Sequence, residues 1–424
     1  MAIVGATRRL KQLFSADWLN KIARESQFML RSRDITPLPL VSALVASLGD
    51  GKTASIAAIH RTFNGICSET AQGVAYKPFH NRLRQESFAT LMATVAQRAM
   101  ALFLEPQPQV ASKLNRFRRV LIHDGSSFAV HRGLASTFPG RFGGAAVECH
   151  LTLSLLEQQP LRLEITADTQ TERTFLPEAA TLAGSLLLAD AGYISAKYMS
   201  EVASYGGCYL MRYSKGLNPT ITQAYNATGK QVKSLLGLRF KALRRRTSRS
   251  DLLDLDVTWE GNDCRMVSYW HAREKRYLSW LTNLPREQFS AVEVMQCYRL
   301  RWQVELLFKE LKSHTNLHRF ATRQEALVKG LIWASLLALV VKRFVLQQAQ
   351  QQTGAGPLSF LKMASSAKDW LAPIMRSLAT RYGSQLEADF GWAVAFIAAN
   401  CRRDKQSKSR QDNSLCAILA AFAA

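Results

Sequence analysis

The sequence has 424 residues, of which 55 are Lys or Arg and 32 are Asp or Glu, so its formal net charge is +23. Such a balance indicates a polyanionic partner, which can be DNA, RNA or an anionic membrane surface. The length allows about two to four domains. The seven cysteines show no paired C-x2-C spacing, which argues against a zinc site and a disulfide framework.

Two hydrophobic features bear on the membrane alternative. The N-terminal stretch MAIVGATRRLKQLF lacks the apolar core of a secretory signal. The longest apolar stretch, 331–341, is bracketed by Lys329 and Lys342 and is too short to span a bilayer, so we interpret it as a buried helix. We therefore expect no membrane partner.

Residues 1–112 are predicted to be mostly helical, because amphipathic stretches such as 91–104 recur there. The segment SETAQGVAYKPFHNRLRQESF, 68–88, predicts a helix, a turn and a second helix that carry Arg82 and Arg84. A helix-turn-helix would place such residues on base edges and phosphates. An ordinary helical hairpin would show the same pattern, so both interpretations stay open.

From residue 113 onwards the pattern changes from helix to strand. Three strand-like segments, FRRVLIHDGS, AAVECHLTLSLLE and PLRLEITAD, come first. We predict a helix at ERTFLPEAATL after them, and then a buried strand at SLLLAD. Continuous apolar runs of this kind are typical of central strands that are covered on both faces.

Two acidic residues stand at the predicted ends of two of these strands. Asp124 follows the apolar residues 120–122, and Asp190 follows 186–189. A glycine one or two positions later predicts a sharp turn in each case. Either Asp alone would fit a cap of the next helix or turn. Two such acids are hard to explain as packing, because an unpaired buried carboxylate is costly.

Strand-like alternation continues through residues 206–287, in CYLMRY, LLDLDVTW, CRMVSYW and YLSWLTNL. This stretch is too long to be a loop. It contains the densest basic cluster, RFKALRRRTSR, in which Arg244, Arg245 and Arg246 are candidate phosphate contacts. A solvated basic hairpin tip would have the same composition.

The most informative segment is CYRLRWQVELLFKELKSH, 297–314. It holds four polar residues at the spacing Y-x2-R-x3-E-x6-K, namely Tyr298, Arg301, Glu305 and Lys312. On a helix of about 3.6 residues per turn, these steps return to one face, so the four side chains are expected to project the same way. Trp302, Leu306 and Leu307 lie on neighbouring stripes and are expected on the buried side.

A single carboxylate flanked by cations suits a site that binds a divalent metal and a phosphate together. A solvated helix with i,i+4 pairs such as Arg301–Glu305 would give the same run of charges. The two strand-end acids favour the metal site, because Asp124, Asp190 and Glu305 together form a set that can hold two divalent ions.

The segments HDGSS, LADAGY and Y-x2-R-x3-E-x6-K resemble the DDE transposases of bacterial insertion sequences, and more narrowly the insertion-sequence-four family with its Tyr-Arg-Glu-Lys signature. The strand-like RYLSWLTNLP, 276–285, precedes the Glu helix as it does in those relatives. The resemblance covers residues 115–315 well. It implies an α/β fold in which a ribonuclease H-like catalytic core carries a β-rich insertion and is flanked by helical N- and C-terminal domains.

The resemblance and the predicted elements together divide the chain into five regions. These are a helical N-terminal DNA-binding domain at 1–112, the first part of the core at 113–205, the β-rich insertion at 206–287, the second part of the core with the Glu helix at 288–346, and a helical C-terminal region at 347–424. Within the last region we interpret QQAQQQTGAGP, 347–357, as a linker.

The activity that the resemblance implies is that of a metal-dependent, cut-and-paste DNA transposase. Asp124, Asp190 and Glu305 would bind two Mg²⁺ ions, for which Mn²⁺ can substitute, and Arg301 and Lys312, together with Tyr298, would hold a phosphate near the cleaved end. The implied partners are double-stranded DNA, as terminal inverted repeats and as target, and a second copy in a homodimer. The implied location is the bacterial cytoplasm, at the nucleoid.

Other classes of protein share parts of this pattern. A ribonuclease H-like nuclease or junction resolvase would use the same three acids without needing the Tyr-Arg-Glu-Lys segment. An inactive copy that only binds DNA would keep the positive charge. A glycosidase needs two carboxylates, but the basicity and the third acid argue against it.

Overall fold

The computed structural model describes residues 2–29, 34–51, 55–67, 73–103, 113–245, 251–314, 322–353, 358–380 and 385–402. Within these ranges the strands are β1 (Val120–Ala129), β2 (Ala146–Ser154), β3 (Gln159–Ala167), β4 (Leu186–Ala189), β5 (Cys208–Arg212), β6 (Thr220–Asn226), β7 (Leu252–Trp259), β8 (Asn262–His271) and β9 (Arg276–Thr282). The helices are α1 (Ala2–Leu13), α2 (Ala16–Glu25), α3 (Pro37–Gly49), α4 (Ile56–Cys67), α5 (Tyr76–Leu83), α6 (Glu86–Leu102), α7 (Ala196–Ser204), α8 (Ala291–Arg299), α9 (Trp302–His314), α10 (Glu325–Thr353), α11 (Phe360–Ser365), α12 (Ala367–Ala379) and α13 (Gln385–Asn400).

These strands form one sheet in the order β3-β2-β1-β4-β5-β9-β8-β7-β6. β4 is parallel to both of its neighbours, β1 and β5, and the other pairs are antiparallel. All four residues of β4 are buried, which explains its continuous apolar run, because a strand covered on both faces has no solvent side. The chain therefore has the α/β fold class that was expected, with a large central sheet and helices at both ends.

The strand predictions from residue 113 onwards are confirmed, but the helix predicted at ERTFLPEAATL is wrong. Two short 3-10 turns, Glu172–Phe175 and Ala179–Leu182, stand there instead. The reason is Pro177, which disfavours helical backbone at the preceding residue. Leu176 is extended accordingly, with φ −55° and ψ 146°. α7 comes only after β4 and was not predicted; Ser195 caps it, its side chain accepting from the amide of Tyr198.

The helical layer is built around α10, which packs against α3, α6 and α13. The apolar stretch 331–341 lies inside this helix and is buried, as predicted. The segment interpreted as a linker, 347–357, is helical up to residue 353, and its remaining residues lie outside the described part of the chain. Gln347 is buried there and donates to the carbonyl of Glu157 at 2.8 Å, which ties the helix end to the β2–β3 connection. In the described ranges no helix is both long and apolar enough to cross a bilayer.

Candidate active site

Asp124 and Asp190 lie on adjacent strands at the point where the parallel pairing of β1 and β4 ends. That pairing runs from Val120 with Leu186 to His123 with Ala189, and each Asp is the next residue. β4 stops there, as predicted. The strand end predicted at Asp124 is wrong, because β1 continues to Ala129 through its antiparallel pairing with β2.

The glycines near the two Asp residues each lie next to the carboxylate of a glutamate. A Cβ on Gly125 would lie 2.7 Å from Oε1 of Glu148 and 3.1 Å from the hydroxyl of Tyr193. A Cβ on Gly192 would lie 2.5 Å from Oε2 of Glu172. A side chain at either glycine would therefore require the neighbouring glutamate carboxylate to shift.

The four residues of the Tyr-Arg-Glu-Lys segment do not share one helix, contrary to our expectation. α8 ends at Arg299 and α9 begins at Trp302. Bonds between residues three apart bridge the junction, from the amide of Arg301 to the carbonyl of Tyr298 at 3.0 Å and from the amide of Val304 to the carbonyl of Arg301 at 3.2 Å. Because residues three apart eclipse each other in such a tight turn, Tyr298 and Arg301 still face the same way.

These side chains reach the two strand acids. The hydroxyl of Tyr298 donates to Oδ1 of Asp190 at 3.1 Å. Nη1 of Arg301 donates to Oδ2 of Asp124 at 2.7 Å, and Nη2 of Arg301 donates to Glu305. The structure thus places the three acids around Tyr298 and Arg301.

Lys312 lies two turns beyond Glu305 on α9, beside an open cleft of about 310 Å³. Its ammonium lies 4.8 Å from the ring centroid of Phe128, and burial lowers its pKa. The cleft is lined by Asp124, Gly125, Ser126, Glu305, Phe308, Lys309 and Lys312. Acids and cations therefore face the same opening, which is wide enough to admit a ligand.

Burial, followed by the charges of its neighbours, sets the pKa of Asp124. Burial raises the pKa of Asp124 to about 6, and the nearby charges of Asp190 and Glu305 act in the same direction. The guanidinium of Arg301 and the amide of Gly125, 3.0 Å from Oδ1, offset part of this increase. A positive charge among these carboxylates is therefore favourable, and Arg301 supplies one.

The carboxylate oxygens of Asp124, Asp190 and Glu305 are the type of ligand that a hard divalent cation prefers, and a cation would offset their mutual repulsion. Within the described residues, however, no three His, Cys, Asp or Glu side chains converge closely enough to hold a metal ion. Arg301 bonds to both Asp124 and Glu305, two of the carboxylates that such an ion would need.

Two residues of the central segment point away from the side predicted for them. Trp302 and Leu306 are 56% and 44% exposed, whereas Leu307 is buried as expected. The buried stripe of α9 has the usual helical spacing of three and four. It consists of Val304, Leu307, Phe308 and Leu311. Trp302 and Leu306 lie outside that stripe, which is why they are exposed.

A second charged cluster lies beside the acids and was not predicted. The guanidinium of Arg141 donates to Glu148 at 3.2 Å and to Glu172 at 3.0 Å, and its Nε donates to the carbonyl of Asp168 at 2.6 Å. Burial raises the pKa of Glu148 to about 7. The only sequence signal was a lone Glu inside the apolar run of β2.

The remaining predicted DNA contacts lie in other parts of the chain. Arg82, at the end of α5, donates to Gln85 at 3.0 Å and lies over the ring of Phe28 at 5.3 Å, whereas Arg84 is exposed. The 3-10 turn Phe240–Arg245 contains Arg244 and Arg245 of the basic cluster. The side chains of Arg244 and Arg245, and the whole of Arg246, lie outside the described residues.

Several transposases of insertion sequences are similar to this chain over different shares of its length. It is 22% identical to the transposase for insertion sequence element IS231C of Bacillus thuringiensis subsp. berliner, over 63% of this chain and 65% of that protein. It is 50% identical to the putative transposase InsL for insertion sequence element IS186A of Escherichia coli (strain K12), over 14% of this chain and 16% of that protein. These two matches span less than two thirds of the relatives' own lengths. A third relative, the transposase for insertion sequence element IS1151 of Clostridium perfringens, is 20% identical over 82% of this chain and 83% of its own.

The match to a protein family is centred on the sheet and the acids. Residues 115–341, more than half of the sequence, match the family described as the transposase DDE domain. This range contains Asp124, Asp190 and Glu305, together with the α8–α9 junction that brings them together. The chain therefore belongs to the family of transposases with a DDE domain.

Proposed function

We propose that this protein is the transposase of an insertion sequence of the insertion-sequence-four type. It binds the terminal inverted repeats of its element, cleaves the DNA ends and joins them to target DNA by cut and paste. The observation that carries the proposal is that Tyr298 and Arg301 contact Asp190 and Asp124, with Glu305 bonded to the same Arg301. The names of its relatives support the same reading.

We further propose a ribonuclease H-like core, made of residues 113–205 and 288–346. The support is the strand order β3-β2-β1-β4-β5, with three antiparallel strands followed by two parallel ones. β5, Cys208–Arg212, lies inside the predicted β-rich insertion, 206–287, so we place the end of the first part of the core after β5. The rest of the insertion contributes β6 to β9, which extend the same sheet beyond β5. The helical regions at 1–112 and 347–424 pack together, through α3 with α12 and α1 with α13.

Asp124, Asp190 and Glu305 would hold two divalent ions, Mg²⁺ or Mn²⁺, which supply activation of the attacking oxygen and charge stabilisation of the leaving oxygen at phosphorus. Arg301, once it is released from the carboxylates, is placed to grip a phosphate bidentately. Tyr298 orients Asp190 through its hydroxyl. Lys312 adds a point charge at the cleft.

Recognition of DNA would be divided between two regions. The helical N-terminal domain, with Arg82 and Arg84, would read the terminal repeat, and the cluster Arg244–Arg246 would add contacts to phosphates. The net charge of +23 suits this division. Two copies would act as a dimer in the DNA complex, because two element ends have to be paired.

The test uses the inverted repeats that flank the gene as substrate, with a supercoiled plasmid as target. Asp124→Asn, Asp190→Asn and Glu305→Gln are each expected to abolish cleavage and joining in Mg²⁺ while binding of the repeat persists. Glu325→Gln is a matched control, because this acid lies in the first turn of α10 and forms an ion pair with Lys329. Cleavage by any of the three acid variants would refute the site, and wild-type cleavage without joining would indicate a nuclease instead.

A further inference from the structure

The connection between β1 and β2 ends in a tight turn with an exposed phenylalanine at its tip. Phe142 is 100% exposed. The turn is closed by bonds from the amide of Gly140 to the carbonyl of Gly144 at 2.8 Å and from the amide of Gly143 to the carbonyl of Gly140 at 3.2 Å. Gly143 has a φ of +83°, a conformation that glycine adopts without strain. Hydrogen bonds therefore fix the backbone of this turn, whereas the side chain of Phe142 is fully exposed.

The residue before the phenylalanine anchors this turn. The amide of Arg141 donates to Oδ2 of Asp168 at 3.1 Å, and its guanidinium bonds to Glu148, Glu172 and the carbonyl of Asp168. Glu148 and Asp168 are buried, so they hold the arginine from below. Phe142 is therefore fixed at its base, which reduces the conformational entropy lost when its ring binds a partner.

The same anchors join the turn to both segments that carry the strand acids. Glu148 lies against Gly125, next to Asp124, and Glu172 lies against Gly192, two residues after Asp190. Arg141 thereby links the turn to the segments that carry both acids. Phe142, the next residue, is held close to the acid site by these contacts.

We propose that Phe142 contacts DNA bound at the acid site by stacking its ring on a base. This inference rests on the proposed function and adds a residue to it. An aromatic ring can stack on any base, so the contact suits DNA of varied sequence. A second protein copy fits the feature less well, because a stable interface buries about 800 Å² per partner and one ring supplies about 150–250 Å². Arg132, in the same connection, and Arg173, whose Nε donates to the carbonyl of Gly192 at 3.0 Å, are exposed and suit a polyanion.

The base can belong to the element end or to the target, and two assays separate these sources. Phe142→Ala is expected to weaken the binding that involves the stacked base by about 5- to 150-fold, the equivalent of ~1–3 kcal/mol for one stacked base. Phe142→Trp should restore it. An effect on binding and cleavage of the end assigns the base to the element, and an effect on joining of pre-cleaved ends alone assigns it to the target.

The direct test is photocrosslinking by the full chain with p-benzoylphenylalanine at position 142. A crosslink to labelled repeat DNA or to plasmid DNA is expected. The same photoreactive residue at position 361 is the control, because Leu361 is 62% exposed on α11. Equal crosslinking at both positions, or crosslinking at 142 only to a second copy of the chain, would overturn the proposal.

Folding and function are monitored separately in these variants. Phe142→Ala should unfold at the same temperature as the wild type, because its side chain buries no surface. Cleavage and joining that need Asp124 but are unchanged in Phe142→Ala would overturn the stacking contact and leave the transposase proposal standing. Cleavage that does not need Asp124 would overturn the proposed function whatever Phe142 does.

Discussion

The guanidinium of Arg301 is bonded to the carboxylate of Asp124, with 2.7 Å between Nη1 and Oδ2. Its second terminal nitrogen bonds to Glu305, one turn further along the chain. Two of the three carboxylates that we propose as metal ligands are therefore held by a cation of the protein itself. Arg301 and a divalent ion would compete for the same oxygens, and release of Arg301 would free it for a phosphate.

The first prediction follows from this competition. Arg301→Ala should bind Mn²⁺ at least as tightly as the wild type in the absence of DNA, because the competing guanidinium is gone and the carboxylates still repel one another. End cleavage should nevertheless fall by about 100-fold or more, since the phosphate loses its bidentate partner. Mn²⁺ titration followed by electron paramagnetic resonance, alongside the cleavage assay, checks both results.

Arg299→Ala provides the matched control for this experiment, because Arg299 is an exposed arginine at the end of α8, two residues away. It should leave Mn²⁺ affinity and cleavage within about twofold of the wild type. A loss of Mn²⁺ affinity in Arg301→Ala would show that Arg301 organises the acids and does not compete with the ion.

The second prediction concerns the pH dependence of stability. Burial raises the pKa of Asp124 from 3.8 to about 6 in the folded protein. Between these pH values the folded state binds more protons than the unfolded state, so Asp124 lowers stability progressively as the pH rises from about 4 to about 6. Asp124→Asn removes this penalty and should stabilise the fold at pH 7.5 by up to about 3 kcal/mol.

Denaturant titrations of both proteins in EDTA at pH 3.5 and pH 7.5 measure this difference. At pH 3.5 the Asp124 carboxyl is protonated in the folded state and mostly protonated in the unfolded state, so the variant should gain little there. Comparing the two proteins at the same pH cancels the other titrating groups, including the buried His123, whose pKa burial lowers to about 3. A variant that is less stable than the wild type at pH 7.5 would show that the bond to Arg301 outweighs the cost of burial.

The third prediction concerns the helix that carries Glu305. Glu310 on α9 accepts from Nη2 of Arg343 on α10 at 3.0 Å, and both side chains are buried. Nη1 of Arg343 also donates to the carbonyl of Gln158 at 2.8 Å. Glu310→Ala leaves a buried arginine without its carboxylate and should cost about 3–5 kcal/mol. The double variant Glu310→Leu with Arg343→Met should regain most of that loss, as measured by chemical denaturation.

Mn²⁺ titrations show whether this pair also positions α9. The stable double variant should keep Mn²⁺ affinity if packing alone holds the helix. A double variant as stable as the wild type that still binds Mn²⁺ at least tenfold more weakly would instead assign a positioning role to the ion pair. Recovery of neither property would mean that the two residues do not act as a pair.

Much of the sheet was predictable, because eight of its nine strands carry a local sequence signal; β6 was not predicted. The alternation in β7 and β8 and the apolar run of β4 are visible in the sequence itself. The order of the strands depends on pairings between distant segments, such as Leu210 with Thr282, for which the sequence alone holds no signal.

The composition of the site was predictable and its geometry was not. The spacing of the central segment indicated that Tyr298, Arg301 and Glu305 lie together, but it did not indicate the break between α8 and α9. The contacts of Arg141 with Glu148 and Glu172 depend on how two hairpins and a 3-10 turn pack. No local pattern encodes such an arrangement.

The last prediction separates two arginines of the proposed DNA-binding domain by their surroundings. Arg82 lies over Phe28 and bonds to Gln85, whereas Arg84 is exposed. Arg84→Ala should therefore weaken binding of the terminal repeat without changing stability, and Arg82→Ala should in addition destabilise the fold by about 0.5–1 kcal/mol. A base contact would cost roughly 1–3 kcal/mol on the repeat alone, whereas a lost phosphate contact would weaken binding to every DNA and lower the log–log salt slope by about one. Fluorescence anisotropy on repeat and random duplexes at several salt concentrations distinguishes a base contact from a phosphate contact.

Point variants are preferable to removal of residues 1–112, because α6 packs on α10 and its loss would expose the buried face of that helix. If both variants bind the repeat and random DNA as the wild type does, recognition lies elsewhere in the chain, and the basic cluster Arg244–Arg246 becomes the next region to test.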